Sequence, residues 1–301
     1  MDTSICIYNE RIAAVRGRAT GFGARIRRCA SVELPEQTVI NGVVTDEARF
    51  AEAFRRLEDE LGGPQLKHAW IALSTSQIYV RRAVVPNLPK RRLLQWAGNA
   101  FSDMDGADDE LLYDCAVLTR LGRDRGSAAL VLAAKKSLIS SYDELFSSLN
   151  VRIDGIDSTH FALQKLIRLL KGTREGTSIV LAFDGNALDS TLYTKGLYRF
   201  STRTRLLAER GTAEGVREVE RTVSSILQFN VSERGDAVTD VYFTGLTAAE
   251  EGLMQSVAAA FNLSAAALCD PEGAVRFPRG SDANLADYAC AVGNLIGRWR
   301  A

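Results

Sequence analysis

The chain has 301 residues, 46% hydrophobic and 25% charged, a globular composition sufficient for one large or two ordinary domains. Lysine plus arginine and aspartate plus glutamate balance at 37 each, so no global field favours a polyanion and nucleic-acid binding is not expected. Five cysteines without a CxxC pair point to reduced cytoplasmic thiols, and with only His68 and His160 a zinc site or histidine base is not expected.

The first residues, Met1 to Tyr8, lack the basic segment and apolar core of a signal peptide. Instead, Thr3 to Ile7, Arg11 to Arg16 after an Asn9-Glu10 turn, and Ala24 to Leu34 after Gly21-Phe22-Gly23 read as an antiparallel meander. Asp46 or Thr45 caps a helix that buries Phe50, Phe54, Leu57 and Leu61 and stops at Gly62-Gly63-Pro64. His68 to Ser74 and Gln77 to Val85 follow as strands, and Pro89 occupies the first position of a helix carrying Leu93, Leu94, Ala97, Ala100 and Phe101. Strands Tyr113 to Arg120 and Ala128 to Ala133 lead to helices Leu138 to Leu149 and Thr159 to Leu170. The run Ala128 to Ala134 is far short of the roughly 20 residues that a membrane span needs.

A second meander, Ser178 to Phe183, Ser190 to Thr194 and Leu197 to Thr202, is followed by a helix from Ala213 to Phe229, with Thr212 as its cap and Asn230 at its end. Val238 to Phe243 is a buried strand. Thr247-Ala-Ala-Glu250 is a capping box for a helix burying Leu253, Val257 and Phe261. A weak strand, Ala265 to Leu268, precedes a final helix, Leu285 to Trp299. The turn Asp184-Gly185-Asn186 between the first two of these strands is a candidate phosphate loop, because its residues tolerate positive φ and successive amides form an anion nest.

Three antiparallel strands followed by alternating helices and strands, present twice, is the α/β layout of the actin-like, duplicated ribonuclease-H-like fold. In the first half the expected helix is delayed to Thr159, which leaves an α+β insertion. The expected domains are therefore 1–34 with 158–176 as the first lobe, 35–157 as the inserted subdomain, and 177–301 as the second lobe. Within the insertion, Val39-Ile-Asn-Gly-Val-Val-Thr-Asp46, Tyr79-Val-Arg-Arg-Ala-Val-Val-Pro-Asn-Leu-Pro89 and Leu130-Val-Leu-Ala-Ala-Lys-Lys136 resemble the PilM family of type IV pilus assembly proteins, in order and spacing. The resemblance covers almost the whole chain and extends to the division protein FtsA and to the cytoplasmic part of a type II secretion protein.

That resemblance implies a nucleotide cleft, and the departures fall on its loops. The first loop is expected at Asp2-Thr3-Ser4, crowded against Met1 and lacking glycine. In the second, Asp184-Gly185-Asn186-Ala187, the family's glycine has become Asn186, whose side chain stands where a phosphate would approach, and Asp189 adds negative charge. The adenosine-side glycine pair is reduced to Gly245-Leu246. If ATP with magnesium binds, the resemblance gives the metal to Asp184, the phosphates to the turn amides, and the nucleoside to the neighbourhood of Glu218 and Arg221. The favoured expectation is a degenerate site, with no cofactor required and no catalytic residue. The alternative is an active ATP-binding ATPase or kinase of the same superfamily.

The resemblance also implies a partner, the cytoplasmic N-terminal tail of a PilN-like inner-membrane protein, docked beside the inserted subdomain; the chain would then be cytoplasmic and peripheral to the inner membrane through that partner. Arg81, Arg82, Val84, Leu88, Arg92 and Leu93, which join basic charge to apolar surface, are the expected docking residues, against the plainer reading of a solvated strand end. The acidic run Asp103 to Glu110 has the wrong spacing for calcium and reads as a solvated loop. Arg199, Arg203 and Arg205 share strand parity and form either a homo-oligomer contact or a solubilising edge. A division-type membrane filament is less expected, since no amphipathic helix follows Trp299.

Overall fold

Two sheets with the same strand order organise the chain. The computed structural model describes residues 1–21, 23–62, 65–104 and 110–296, Glu251 by its backbone alone. Phe22, Gly63, Pro64, most of the acidic run and Trp299 lie outside the described residues.

The first lobe opens with β1 (Asp2–Ile7), β2 (Arg11–Thr20) and β3 (Gly23–Glu33), then a small hairpin of β4 (Val39–Ile40) and β5 (Val43–Val44). Helix α1 (Glu47–Leu61) is capped by the Asp46 carboxylate, which accepts the Arg49 N–H, and ends at Gly62 in the positive-φ conformation that glycine tolerates. Its apolar stripe, Phe50, Ala53, Phe54, Leu57 and Leu61, covers one face of the sheet. The chain returns as β6 (His68–Leu73), parallel to β1. It then leaves the sheet to form β7 (Ile78–Val85), α2 (Lys90–Ala97), β8 (Leu111–Gly122) and β9 (Gly126–Lys135), and comes back through α3 (Lys136–Ser148), β10 (Arg152–Ser158), α4 (Thr159–Leu169) and α5 (Lys171–Glu175).

The second lobe repeats the plan with β11 (Thr177–Asp184), β12 (Ala187–Thr194), β13 (Leu197–Arg205), α6 (Ala213–Ser232), β14 (Val238–Thr244), α7 (Glu251–Phe261) and β15 (Ser264–Ala267), closing with β16 (Val275–Arg276) and α8 (Leu285–Leu295). The strand orders are β10-β6-β1-β2-β3-β16 and β15-β14-β11-β12-β13. Strand for strand, β1, β2, β3, β6 and β10 match β11, β12, β13, β14 and β15, so the duplication is complete in both halves.

Three boundaries differ from expectation. The helix matching α6 is not delayed: it is α1. Segment 35–157 is not one separate insertion, because β6 and β10 sit inside the first-lobe sheet and α1 packs on β2 and β3. Only Ile78–Lys135 leaves that sheet, as the three-stranded layer β7-β9-β8 with its own core of Val85, Leu93, Phe101, Val131 and Ala133. The run Ala69 to Leu73 is apolar on both faces, as a strand covered on both sides must be, and such a run does not reveal which sheet holds it. Finally, 177–301 is not wholly second lobe: β16 pairs with β3, and α8 packs on α4 and the first-lobe strands, where Gly293 brings the α8 backbone so near the Ala162 carbonyl that no Cβ fits.

Helix α6 runs past Asn230, which is buried within its last turns and donates to the Asp236 carbonyl. Pro89 precedes α2 instead of opening it. Among the described residues, no helix is long and apolar enough to cross a membrane.

Candidate functional site

The two lobes meet at Asp184, the last residue of β11, where the tight turn to β12 places Gly185 at φ 56°. The Asp184 carboxylate points out of its own lobe and is saturated by the other. Oδ1 accepts the Asn9 backbone N–H at 2.7 Å; Oδ2 accepts the Asn9 side-chain amide at 2.7 Å and the Ser74 hydroxyl at 2.6 Å. Asn9 lies in the β1–β2 turn, and Ser74 follows β6 with its N–H held by the Ile7 carbonyl. Asn41, in the β4–β5 turn at positive φ, donates its N–H to Asn9 Oδ1 and fixes the amide orientation.

Arg203 on β13 enters the same cluster. Its guanidinium bonds Asp189 Oδ2 at 2.5 Å, Asp184 Oδ2 at 3.4 Å and the Ser74 hydroxyl oxygen at 3.2 Å. The β12–β13 register sets Asp189 directly across from Arg203. Burial pushes Asp184 above the usual carboxylate range, while Ser74, Arg203 and Asn9 pull it back. His160, buried on α4, sits 3.8 Å from Asp189, and burial lowers its pKa below 6.5 despite that carboxylate. His160 is thus held neutral in the fold while the unfolded chain protonates near 6.5, so its contribution to stability is present above that pH and is lost as pH falls below it. His160→Gln should flatten the acid-side decline in melting temperature, read from thermal unfolding across about pH 7 to 5.

A second cluster lies where β11 and β14 end, beside the start of α7. Arg210 pairs with the Glu250 carboxylate through two nitrogens and donates to the carbonyls of Gly185 (3.2 Å) and Gly245 (2.8 Å), with its guanidinium 4.7 Å from the Phe183 ring centroid. Glu250 Oε2 also accepts the Thr247 N–H, which is the returning arm of the expected capping box. Burial raises the Glu250 pKa, but the hydrogen bonds from Arg210 and Thr247 outweigh it and hold the acid low. The space left between α6 and the start of α7 is about 70 Å3, against the roughly 300 Å3 and more of ordinary ligand sites.

The sequence-predicted nucleotide residues are only partly brought together. Asp184, Gly185 and Gly245 are in the cleft. Asn186 is exposed, and the positive φ is taken by Gly185. Asp2, Thr3 and Ser4 lie at the start of β1, about 20 Å of strand away from the turn that faces Asp184, so the first loop is Tyr8-Asn9-Glu10 and not theirs. The exposed Glu10 side chain lies against Gly185, whose φ of 56° favours glycine. Glu218 accepts the N–H groups of Leu207 and Ala208, and Arg221 is exposed. Asn9, Asn41, Ser74, Arg203, Arg210 and Glu250 were missed as site residues; the available signal was the turn pair Asn9-Glu10 and the asparagine-glycine of Val39 to Asp46. Of the three arginines expected on one face, Arg203 turns into the cleft, while a bulge takes Arg199 out of register.

A separate groove of about 480 Å3 lies between the inserted layer and the first lobe. Ile78, Leu112, Leu132, Ile139, Ile153 and Ile156 give it an apolar lining; Asp114, Asp143, Glu144 and Asp157 add acidic groups. Asp157 is raised by burial and paired with Lys165 at 3.1 Å. None of the predicted docking residues lines this groove. Arg81 is committed to Asp103 and the Ala100 carbonyl, and Leu93, 5% exposed, belongs to the inserted core. Arg82 and Arg92 are exposed, Leu88 is half-buried, and Val84, 55% exposed, remains an apolar surface residue on the β7 strand.

No family model matches the chain, and no curated protein matches its sequence. Solved structures do. A chain of a PilM-PilN type IV pilus biogenesis complex aligns with TM-score 0.81 at 16% identity, covering 98% of this chain and 97% of its own. A protein with an actin-like ATPase fold and unknown function from Bacteroides thetaiotaomicron aligns at 0.54 with 12% identity, covering 99% and 96%. The ethanolamine utilization protein EutJ from Carboxydothermus hydrogenoformans gives 0.51 and 12%, covering 98% and 89%. With two sheets of one strand order meeting at a central cleft, this chain has the actin-like fold, in an arrangement similar along its whole length to a chain of the PilM-PilN complex.

Proposed function

We propose that this chain is a cytoplasmic scaffold of type IV pilus assembly, or of a related secretion machine, that binds the N-terminal tail of a PilN-like inner-membrane protein and works without bound nucleotide. The observation that carries this reading is the groove beside the inserted layer, in a fold similar to a chain of a complex named for two partners. An extended tail fits it in chemistry. Apolar anchors would cover Leu112, Ile139 and Ile156, and basic residues would meet Asp143 and Glu144. The cleft supports the second half of the reading, because Arg203 and Arg210, the cations beside the Asp184 turn, are already paired with buried acids.

The test is fluorescence anisotropy with the labelled cytoplasmic tail of a single-span membrane protein encoded beside this chain. Leu112, 41% exposed, accepts a charge without loss of fold, so Leu112→Glu should weaken binding at least about tenfold while Leu88→Asp leaves it unchanged. The reverse pattern would return the dock to Val84–Pro89. Absence of binding by any such tail would remove the scaffold reading.

A further inference from the structure

One edge of the first-lobe sheet sets arginines against each other. The register places Arg18 of β2 opposite Arg25 of β3, and Arg25 opposite Arg276 of β16. Like charges directly opposed across strands are destabilising, so this rung of three calls for a counter-anion. Arg27 is the extra residue of the bulge between the Gly17/Ile26 and Arg16/Arg28 pairs, and it lines two open hollows. One, of about 830 Å3, is lined by Arg25, Arg27, Arg276 and Arg279; the other, of about 590 Å3, includes Arg27, Arg28, Lys67 and His68. Neither lining contains a carboxylate.

Arg16 and Arg28 have structural work, since they donate to the Gly62 and Leu61 carbonyls at the C-terminus of α1. Arg18, Arg25, Arg27, Lys67, Arg276 and Arg279 are exposed, and among the described residues none of them forms an ion pair. A chain with no net charge thus concentrates guanidinium forks, which match phosphate geometry, along one edge. Met1, 60% exposed, and half-buried Phe277 add apolar side chains at the hollows.

We propose that this edge rests on the anionic phospholipid headgroups of a membrane surface. Continuity with the groove argues for lipid over a soluble anion: His68 stands opposite Arg152 across β6 and β10, both bonded to Asp154, and the next residue after Arg152, Ile153, lines the groove. The edge is therefore placed to meet the bilayer from which a docked tail emerges. That choice of ligand rests on the scaffold reading; the anion-binding character of the edge does not.

Co-sedimentation of the whole chain with phosphatidylcholine vesicles, with and without phosphatidylglycerol, tests this in the absence of any partner. Binding is expected only to vesicles containing phosphatidylglycerol, and it should disappear at about 0.5 M salt, where screening shortens to a few ångströms. Each arginine near an anionic surface contributes about fivefold, so Arg25→Gln with Arg276→Gln should weaken binding on the order of 25-fold. Arg123→Gln with Arg125→Gln, an equal charge loss in the β8–β9 turn, should leave it unchanged. The first pair should not lower the melting temperature, because it relieves the opposed rung. Equal binding to neutral vesicles, no binding at low salt, or equal loss in both pairs would overturn the proposal. So would retention by polyglutamate without vesicle binding, which would assign the edge to an acidic protein. Tail binding is measured in lipid-free solution, so either reading can fail alone.

Discussion

Arg203→Ala should cost about 3–5 kcal/mol of stability, the usual penalty for removing one partner from a buried ionic cluster. Asp184 and Asp189 are both buried, and the Arg203 guanidinium is the cation shared between them, at 3.4 and 2.5 Å. Without it, two desolvated carboxylates share one space; the Ser74 and Asn9 bonds remain to satisfy Asp184, but nothing offsets the like charge. Thermal unfolding should show a fall on the order of 10 °C. The pH dependence identifies the cause. Burial already raises Asp184, and a carboxylate whose folded pKa is raised destabilises above that pKa and is relieved as it takes up a proton. The deficit of the variant should therefore shrink as pH falls toward the carboxylate range, and adding Asp184→Asn and Asp189→Asn should recover much of it. A loss below about 1 kcal/mol would mean that the cluster is solvated in solution.

Titration with ATP and magnesium should give no saturable heat at millimolar nucleotide, which corresponds to binding weaker than about −4 kcal/mol. A triphosphate could engage Arg203 and Arg210 only by displacing Asp184, Asp189 and Glu250, and that would leave three buried acids without their cations. Glu10 would also have to leave the face of Gly185, and the nucleoside would need several times the 70 Å3 beside α6. These obstacles are independent, so a single substitution such as Arg210→Ala should not restore binding; it strands Glu250 and lowers stability instead. Saturable heat at micromolar ATP would reinstate the ATPase or kinase reading.

Much of the fold was legible because it is written in local patterns: the two meanders, the Asp46 and Thr212 caps, and the apolar stripes of α1 and α6 each depend on residues a few positions apart. The placement of β6 was not, since an apolar run on its own does not say which neighbour it pairs with. The site divided the same way. Asp184-Gly185 was visible as a turn, but the groups that saturate it come from Asn9 and Ser74, 175 and 110 residues away. Arg203 looked like one of three similar edge arginines, and only a bulge at Arg199 and the register opposite Asp189 distinguish it. The residues expected to dock a partner were chosen because basic and apolar types adjoin in sequence; in space, Arg81 and Leu93 are spent on the inserted layer itself, and the groove is lined from β8, β9, α3 and β10 with only Ile78 from β7.

The return of α8 to the first lobe has a consequence for how the chain is made. Strands β1 and β2 are synthesised well before α8, yet α8 covers one face of their sheet, with Asn294 donating to Ser4 across 290 residues. Such sequence-distant contacts delay closure of the loop between them, so the first lobe cannot complete its core until the second has been translated. Until then Cys6, Ala13 and Val15 lack their cover, and the nascent chain is most exposed to aggregation before α8 arrives.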